Sequence, residues 1–293
     1  MILVTGASGQ LGHAVVQRLV ARGAAFNAVQ RPAFDFDAPA TVTACFEQAR
    51  PRLVINAAAY TAVDKAETER EAARASNHTG PLALARLCAA ADIPLIHVST
   101  DYVFDGDKGV PYQETDPTSP TGVYGATKRD GEEAILATNA KAVILRTAWV
   151  YSDYGKNFAK TMIAAGRKMP ALRVVSDQRG TPTAAGDLAD AILAITDQLA
   201  VTGWRPDYRG IFHATNAGET TWYGFAQAIF EEAARHGYQP PQLEAISTAQ
   251  WPTPTRRPAD SRLACSKLRQ VFGVELPAWR TTLAALAPAL VQL

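Results

Sequence analysis

Short apolar runs alternate with longer amphipathic stretches along most of the chain, a pattern typical of parallel strands joined by crossover helices. The pattern predicts strands at residues 2–4, 26–29, 53–56, 95–99, 143–146 and 173–176. It predicts helices at residues 11–22, 40–48, 72–90 and 124–136. Because such crossovers are right-handed almost without exception, we expect these units to stack into one doubly wound sheet.

Composition and charge exclude several classes of protein. The 29 Lys and Arg residues against 28 Asp and Glu give a formal charge of +1, which argues against nucleic acid or an acidic membrane as a partner. No apolar run approaches the roughly 20 residues of a membrane-spanning helix, and we expect no signal peptide before the first strand. Cys45, Cys88 and Cys265 lie far apart without a CxxC pair, which predicts a reducing, cytoplasmic location.

The first predicted strand leads into a glycine-rich turn at residues 6–12 (GASGQLG). Glycine allows close backbone approach that a Cβ atom blocks, and a helix N-terminus favours a pyrophosphate. The GxxGxxG spacing is that of the short-chain dehydrogenase/reductase superfamily; a tight turn without a ligand is the alternative. We expect dinucleotide binding by Gly6, Ser8, Gly9, Gln10, Leu11 and Gly12.

The second predicted strand ends without the acidic residue that NAD-selective sites use to hold the ribose 2′-hydroxyl. Arg31 stands at its tip, where its planar guanidinium is able to pair with a 2′-phosphate. The alternative is a solvated loop arginine. The sequence therefore favours NADPH and leaves NADH open. The third strand leads into an alanine run at 57–59, which either lies against the nicotinamide ribose or forms tight core packing.

Tyr124 and Lys128 stand four residues apart, on one face of a predicted helix. Because a nearby cation favours the phenolate, Lys128 is expected to draw the pKa of Tyr124 down from about 10 towards neutrality. An exposed i,i+4 pair is the alternative. Thr100 follows the fourth strand, at the sheet edge where ligands of such sheets bind. The glycine turn, the hydroxyl and the YxxxK pair, in this order, indicate carbonyl/alcohol redox chemistry.

Prolines crowd the chain after about residue 149, where short helices alternate with loops. We expect a nucleotide-binding domain at residues 1–150, with elements around 173–215 contributing to it, and a second domain formed mainly by residues 151–293. The predicted fold class is α/β, a Rossmann-type doubly wound parallel sheet with a smaller α/β substrate-binding domain.

Seven segments carry a resemblance to a known family. They are 56–67 (NAAAYTAVDKAE), 99–106 (STDYVFDG), 124–128 (YGATK), 146–151 (RTAWVY), 157–162 (NFAKTM), 177–183 (DQRGTPT) and 252–263 (PTPTRRPADSRL). On these segments the sequence resembles the dTDP-4-dehydrorhamnose reductases, the last enzymes of dTDP-L-rhamnose synthesis, over nearly its whole length. The resemblance implies hydride transfer from NADPH, or from NADH, to C4 of dTDP-4-dehydro-β-L-rhamnose.

The resemblance also implies roles for individual residues. Tyr124 would supply the proton, Thr100 would steady the substrate oxygen, and Lys128 would orient the cofactor ribose. The residues implied near the cofactor are Asp35 and Phe36, beside the adenine, and Ala57, Ala58 and Tyr60. Those implied near the substrate are Asp101, Tyr102 and Trp149 around the sugar, with Asn157 and Arg257 towards the nucleotide. Core packing is the alternative for Trp149, and by charge Arg256 is an equal candidate to Arg257.

Some relatives hold magnesium across a dimer interface with acidic residues on the first helix and after the GxPT segment. Here Ala14 and Gly186 stand at the corresponding places, with Asp187 as the nearest acid, so we expect no metal requirement. The five histidines show no ligand spacing. We expect a monomer or a homodimer.

Two other functions stay open at this point. Nucleotide-sugar epimerases and dehydratases retain a tightly bound NAD, but the dehydratases typically add acidic residues directly after the hydroxyl strand, where this chain has Asp101 alone, followed by Tyr102. A non-catalytic regulatory subunit, like the β subunit of methionine adenosyltransferase, resembles the same motifs. Unaided turnover by the purified protein separates an enzyme from such a subunit.

Overall fold

A computed structural model describes residues 1–138 and 140–292 of the chain. The strands are β1 (Ile2–Thr5), β2 (Phe26–Val29), β3 (Leu53–Asn56), β4 (Pro94–Thr100), β5 (Lys141–Thr147), β6 (Val150–Tyr151), β7 (Ala171–Val175), β8 (Arg179–Gly180), β9 (Thr183–Ala184), β10 (Gly210–His213), β11 (Thr220–Thr221) and β12 (Gln242–Ile246). The α-helices are α1 (Gln10–Ala21), α2 (Pro39–Ala49), α3 (Val63–Ala66), α4 (Arg70–Arg74), α5 (Gly80–Ala90), α6 (Val123–Ala137), α7 (Phe158–Gly166), α8 (Ala185–Thr202), α9 (Trp222–Ala234), α10 (Ser266–Phe272) and α11 (Trp279–Val291).

Six parallel strands form the central sheet, in the order β10-β5-β4-β3-β1-β2. The chain passes from β1 outwards to β2 and then returns to β3 on the other side of β1. Strand order therefore reverses between β1 and β3, and the loops at the carboxyl ends of these two strands diverge and leave a crevice. The predicted α/β doubly wound fold is confirmed.

The predicted strand at 173–176 forms as β7, but the expectation that it joins the central sheet is wrong. It pairs in parallel with β12 in a separate two-stranded sheet. Its residues alternate between exposed and buried positions, as in a strand covered on one face, whereas β5 is buried almost throughout. The sixth place in the central sheet belongs to β10, for which the pattern predicted no separate strand.

Three of the five apolar clusters among the described residues make up most of the core. One lies on the face of the sheet covered by α1 and α8, and a second lies on the opposite face, covered by α2 and α5. The third joins α7, α9 and α11 around Phe225 and Trp279, away from the central sheet. The division of the chain at residue 150 stays a prediction. No helix in the described part of the chain is both long and apolar enough to cross a membrane.

The predicted helix at 72–90 contains a π-helical turn, Ala75–Thr79, between α4 and α5. This turn packs against α6, whose Gly131 allows a very close approach, since a Cβ there would lie 2.0 Å from the Asn77 carbonyl oxygen. The Asn77 side chain bonds to the Tyr60 backbone and to the Thr127 hydroxyl. The π turn thereby fixes α6 beside the loop that follows β3.

Candidate active site

One cleft of about 750 Å³ lies at the carboxyl ends of the central strands. It brings together all the site residues predicted from the sequence except Gly12 and Asp35. The predicted residues on its wall are Gly6, Ser8, Gly9, Gln10, Leu11, Arg31, Phe36, Ala57, Ala58, Tyr60, Thr100, Asp101, Tyr102, Tyr124, Lys128, Trp149, Asn157 and Arg257.

The glycine turn is shaped by two very close backbone approaches. Gly6 has a φ of +68°, and a Cβ on it would lie 2.6 Å from the Ala58 nitrogen. A Cβ on Gly12 would lie 2.1 Å from the Gly6 carbonyl oxygen. Gly12 therefore packs α1 against the turn and does not face the cleft. Gly6, Gly9 and the alanines at 57–59, none of which has a side chain larger than a methyl group, line the cleft beside the start of α1, where a pyrophosphate fits.

Arg31 lies at the tip of β2 and lines the cleft, but its guanidinium is already paired. Its Nε donates to Asp35 at 2.9 Å and an Nη donates to Asp37 at 2.7 Å. Asp35 thus holds Arg31 and does not line the cleft, so a direct contact between Asp35 and the adenine stays a prediction. Asp37 and the cleft-lining Ser76, which lies 3.5 Å from the same Nη, were missed by the motifs.

Tyr124 and Lys128 lie one turn apart on the buried face of α6, and Thr100 ends β4 beside them. Burial raises the pKa of Tyr124 above its ordinary value, and the hydrogen bond with Thr100 opposes this rise. The Lys128 Nζ donates to the Val98 carbonyl at 2.6 Å, and burial lowers the pKa of Lys128 to about 8. We expected Lys128 to draw the Tyr124 pKa towards neutrality, but the pKa of Tyr124 is raised. The reason is burial, which disfavours the phenolate of Tyr124 as well as the ammonium of Lys128.

Three buried polar atoms on the cleft wall have no hydrogen-bond partner among the described residues: Ser99 Oγ, Asp101 Oδ2 and Thr147 Oγ1. The Thr100 hydroxyl donates to the other Asp101 oxygen at 3.0 Å. Burial raises the pKa of Asp101 to about 6. Buried polar groups in native proteins are normally paired, so this wall is complementary to a ligand that carries hydrogen-bonding groups.

Trp149 stacks on Trp222, with ring centroids 3.6 Å apart and an interplanar angle of 10°. Both indoles line the cleft, so core packing alone does not describe Trp149. Gly180 makes room for the stack, because a Cβ there would lie 2.4 Å from the Trp149 ring. Trp222, at the start of α9, was missed because nothing in the local pattern links it to Trp149.

The structure separates the two candidate arginines. Arg257 lines the cleft, where it donates to the Tyr102 hydroxyl at 3.1 Å and to Asp64 at 2.9 Å. Arg256 is exposed, lies 3.4 Å from Asp107 and does not line the cleft.

Asn157 lies next to the glycine turn. Its side chain caps α7 by accepting from the Lys160 backbone and also donates to Gln10 at 2.9 Å. The neighbouring Lys156 lines the cleft as well and was not predicted.

The residues at and beside the positions where some relatives hold magnesium make other contacts in this structure. Asp187 accepts hydrogen bonds from Asn216 and Thr282, each at 2.6 Å. A Cβ on Gly186 would meet the Arg18 guanidinium at 2.7 Å. The described residues contain no group of three or more His, Cys, Asp or Glu side chains placed to hold a metal ion. That the protein needs no metal stays a prediction.

Comparison with known proteins agrees with this geometry. The family model described as RmlD substrate binding domain matches residues 1–291. A dTDP-4-dehydrorhamnose reductase of Sinorhizobium fredii is 43% identical, over 99% of this chain and 97% of the relative. A probable dTDP-4,6-dihydroxy-2-methyloxan-3-one 4-ketoreductase of Streptomyces antibioticus is 42% identical, over 96% and 92%. The crystal structure of dTDP-4-dehydrorhamnose reductase from Bacillus anthracis in complex with NADP has a TM-score of 0.88 and 32% identity, over 97% of both chains.

Proposed function

The chain belongs to the RmlD family of dTDP-4-dehydrorhamnose reductases, and from this premise we propose that it reduces the C4 keto group of dTDP-4-dehydro-β-L-rhamnose to give dTDP-L-rhamnose. One observation carries the proposal: a single cleft holds the glycine turn, the Thr100, Tyr124 and Lys128 side chains and an unpaired polar wall. A dinucleotide site and a carbonyl-reducing site are thus continuous.

NADPH is the proposed cofactor, and it supplies the hydride when bound. The cleft wall formed by Gly6, Gly9 and the alanines at 57–59 is proposed to hold its pyrophosphate at the start of α1. Arg31 is the cation proposed to pair with the 2′-phosphate, and Lys128 is the group proposed to hold the nicotinamide ribose. The relative of known structure with NADP supports this choice.

Tyr124 is proposed to donate the proton to the oxygen that forms at C4. A phenol with a raised pKa stays protonated in the resting site, which is the form that a proton donor needs. The Thr100 hydroxyl is proposed to steady the same oxygen through a hydrogen bond. The Lys128 ammonium then favours the phenolate that remains once the proton has left.

On the substrate side, we propose that the stacked indoles of Trp149 and Trp222 cover the apolar face of the deoxysugar. Asp101 and Tyr102 are proposed to contact its hydroxyl groups. Arg257 and Asn157 are proposed to lie towards the nucleotide, with the guanidinium near the diphosphate.

A second candidate is the reduction of a different dTDP-linked keto sugar. The Streptomyces antibioticus relative, which is 42% identical, is named for such a substrate. The proposed chemistry of Tyr124, Thr100 and Lys128 is the same for both sugars.

We also propose a cytoplasmic enzyme that acts as a monomer or homodimer and requires no metal. The three separate cysteines, all free thiols, support a reducing compartment.

The test is the loss of nicotinamide absorbance when the purified protein is mixed with dTDP-4-dehydrorhamnose and either NADPH or NADH, in the presence of EDTA. We expect oxidation coupled to dTDP-rhamnose formation, faster with NADPH and insensitive to the chelator. Tyr124→Phe is the matched control, which should bind NADPH normally and lose most turnover. Absence of oxidation by folded protein would overturn the proposal, and turnover of only another dTDP-keto sugar would favour the second candidate.

A further inference from the structure

Helix α6, which carries Tyr124 and Lys128, lacks a capping side chain of its own. Its N-cap is Gly122, and its first turn contains no acidic residue. The first N–H groups of a helix have no partner within the helix and need one from elsewhere. Here the Val123 N–H donates to Glu67 Oε1 at 2.8 Å, a contact between residues 56 positions apart in sequence.

The surroundings of Gly122 are shaped for this contact. A Cβ on Gly122 would lie 2.8 Å from Glu67 Oε1 and 2.6 Å from the Thr255 methyl group. Only a glycine lets both groups approach the start of the helix without a shift. Glu67 itself is half-buried and directly follows α3. Its carboxylate also lies at the end of α6 where the helix dipole favours a negative charge.

The same short helix reaches the substrate side of the cleft. Asp64 of α3 accepts from the Arg257 guanidinium at 2.9 Å. The Val63 carbonyl accepts from the Thr255 hydroxyl at 3.2 Å. Segment 63–67 therefore connects the first turn of the tyrosine helix with the segment that presents Arg257.

We propose that Glu67 is a positioning residue for Tyr124: it fixes the first turn of α6 and so holds the phenol beside Thr100. Tyr124 directly follows Val123 and is the first residue of α6 that lines the cleft, so the capped turn is the one that carries the phenol. Lys128 lies one turn further on and is held separately by the Val98 carbonyl. The role rests on the proposed function, in which Tyr124 donates the proton.

The experiment compares Glu67→Ala, Glu67→Gln and, as a matched control, Glu71→Ala, which removes an exposed carboxylate from the adjacent helix. Because a misplacement of about 1 Å is able to cost a large factor in rate, we expect Glu67→Ala to lower kcat by about tenfold or more. The Kd for NADPH, measured by titration without the sugar, should stay within about twofold, since Lys128 and the glycine turn are untouched. Glu67→Gln keeps an acceptor oxygen and should restore most of kcat, and Glu71→Ala should match the wild type.

Hydrogen exchange of the Val123 amide gives a readout that does not depend on turnover. We expect faster exchange in Glu67→Ala and near-normal exchange in Glu67→Gln. An unchanged kcat in Glu67→Ala, an equal loss of NADPH binding, or no rescue by glutamine would each overturn the positioning role. If the wild-type protein reduces no dTDP-keto sugar, the proposed function fails and the role of Glu67 in that reaction fails with it. The exchange data then still decide whether Glu67 caps α6.

Discussion

The Nζ of Lys128 lies 3.4 Å from Nε2 of His97, and both side chains are buried beneath the cleft. The other His97 nitrogen is 2.8 Å from the Asn56 amide nitrogen. The Asn56 oxygen accepts from the Thr5 hydroxyl and from the Ala58 backbone, which orients this amide. A neutral imidazole that accepts from this amide carries its proton on Nε2, so it does not accept a hydrogen bond from the Lys128 ammonium. The Val98 carbonyl, 2.6 Å from Nζ, is the acceptor that Lys128 uses.

This environment predicts how activity depends on pH. Burial lowers the pKa of Lys128 to about 8, against the opposing attraction of Glu132, so the cation is lost as pH rises through this value. Because the proposed mechanism needs the charged form, we expect turnover to fall above about pH 8. Between that pH and the ordinary lysine pKa of 10.5, the unfolded chain binds the proton that the folded chain has released, so the Lys128 contribution to the free energy of unfolding rises with pH.

The measurement is kcat from pH 6 to 10, with the free energy of unfolding followed in parallel. A falling rate with stable protein in this range supports the assignment to Lys128. A rate that stays flat up to the loss of the fold would contradict it.

The pairing of Arg31 predicts a change in cofactor preference. Asp35 and Asp37 together place two carboxylates on one guanidinium, and this excess negative charge opposes a 2′-phosphate. We expect Asp37→Asn to lower the Kd for NADPH by about threefold to tenfold at low salt and to leave the Kd for NADH unchanged. Arg31→Gln should raise the Kd for NADPH and leave the Kd for NADH unchanged. Equal effects of Asp37→Asn on the two cofactors would show that the charge acts elsewhere.

The indole stack predicts an effect confined to the sugar. Trp222→Leu removes the ring that supports Trp149, whose backbone has a φ of +47°, unusual for a residue with a side chain. We expect the KM for the dTDP-sugar to rise about tenfold, with the Kd for NADPH nearly unchanged. Trp251→Leu, at an indole that is 54% exposed, is the matched control. A loss of NADPH binding in Trp222→Leu would argue against a role on the substrate side.

Local pattern was sufficient to predict five of the six strands of the central sheet, all except β10, and most of the cleft. Strands β2 and β3 have the predicted bounds. Strand β3 is buried throughout, as its apolar run indicates, whereas β2 lies at the edge of the sheet and only its last residue is buried. Glycine spacing and YxxxK likewise act within one turn or one helix. The strand predicted at 173–176, which forms as β7, was assigned to the wrong sheet because an apolar run does not identify its pairing partner.

The contacts that local pattern did not predict join distant parts of the chain. Glu67 to Val123 and Trp149 to Trp222 each pair residues whose proximity only the folded topology determines. The pKa of Tyr124 was misjudged for a related reason. Helical spacing predicts that Tyr124 and Lys128 lie close together, but it does not predict the burial that changes the pKa of both side chains.

A buried histidine away from the cleft predicts how the fold responds to acid. His213 donates from Nδ1 to the Tyr112 carbonyl at 3.1 Å, and its Nε2 has no partner among the described residues.

Burial, aided by the charge of Arg146 and opposed by hydrogen bonds and Asp116, lowers the His213 pKa from 6.5 to about 3. Between these values the unfolded chain binds a proton that the folded chain does not, so stability is lost as pH falls below about 6.5, by about 1.4 kcal/mol per pH unit for this group. His213→Asn keeps a donor for Tyr112 and removes the titrating ring. Its free energy of unfolding, measured with urea from pH 7 down to 4, should therefore fall less steeply than that of the wild type. The exposed His236→Asn should keep the wild-type slope, and identical slopes in all three proteins would mean that His213 is not buried in the neutral form.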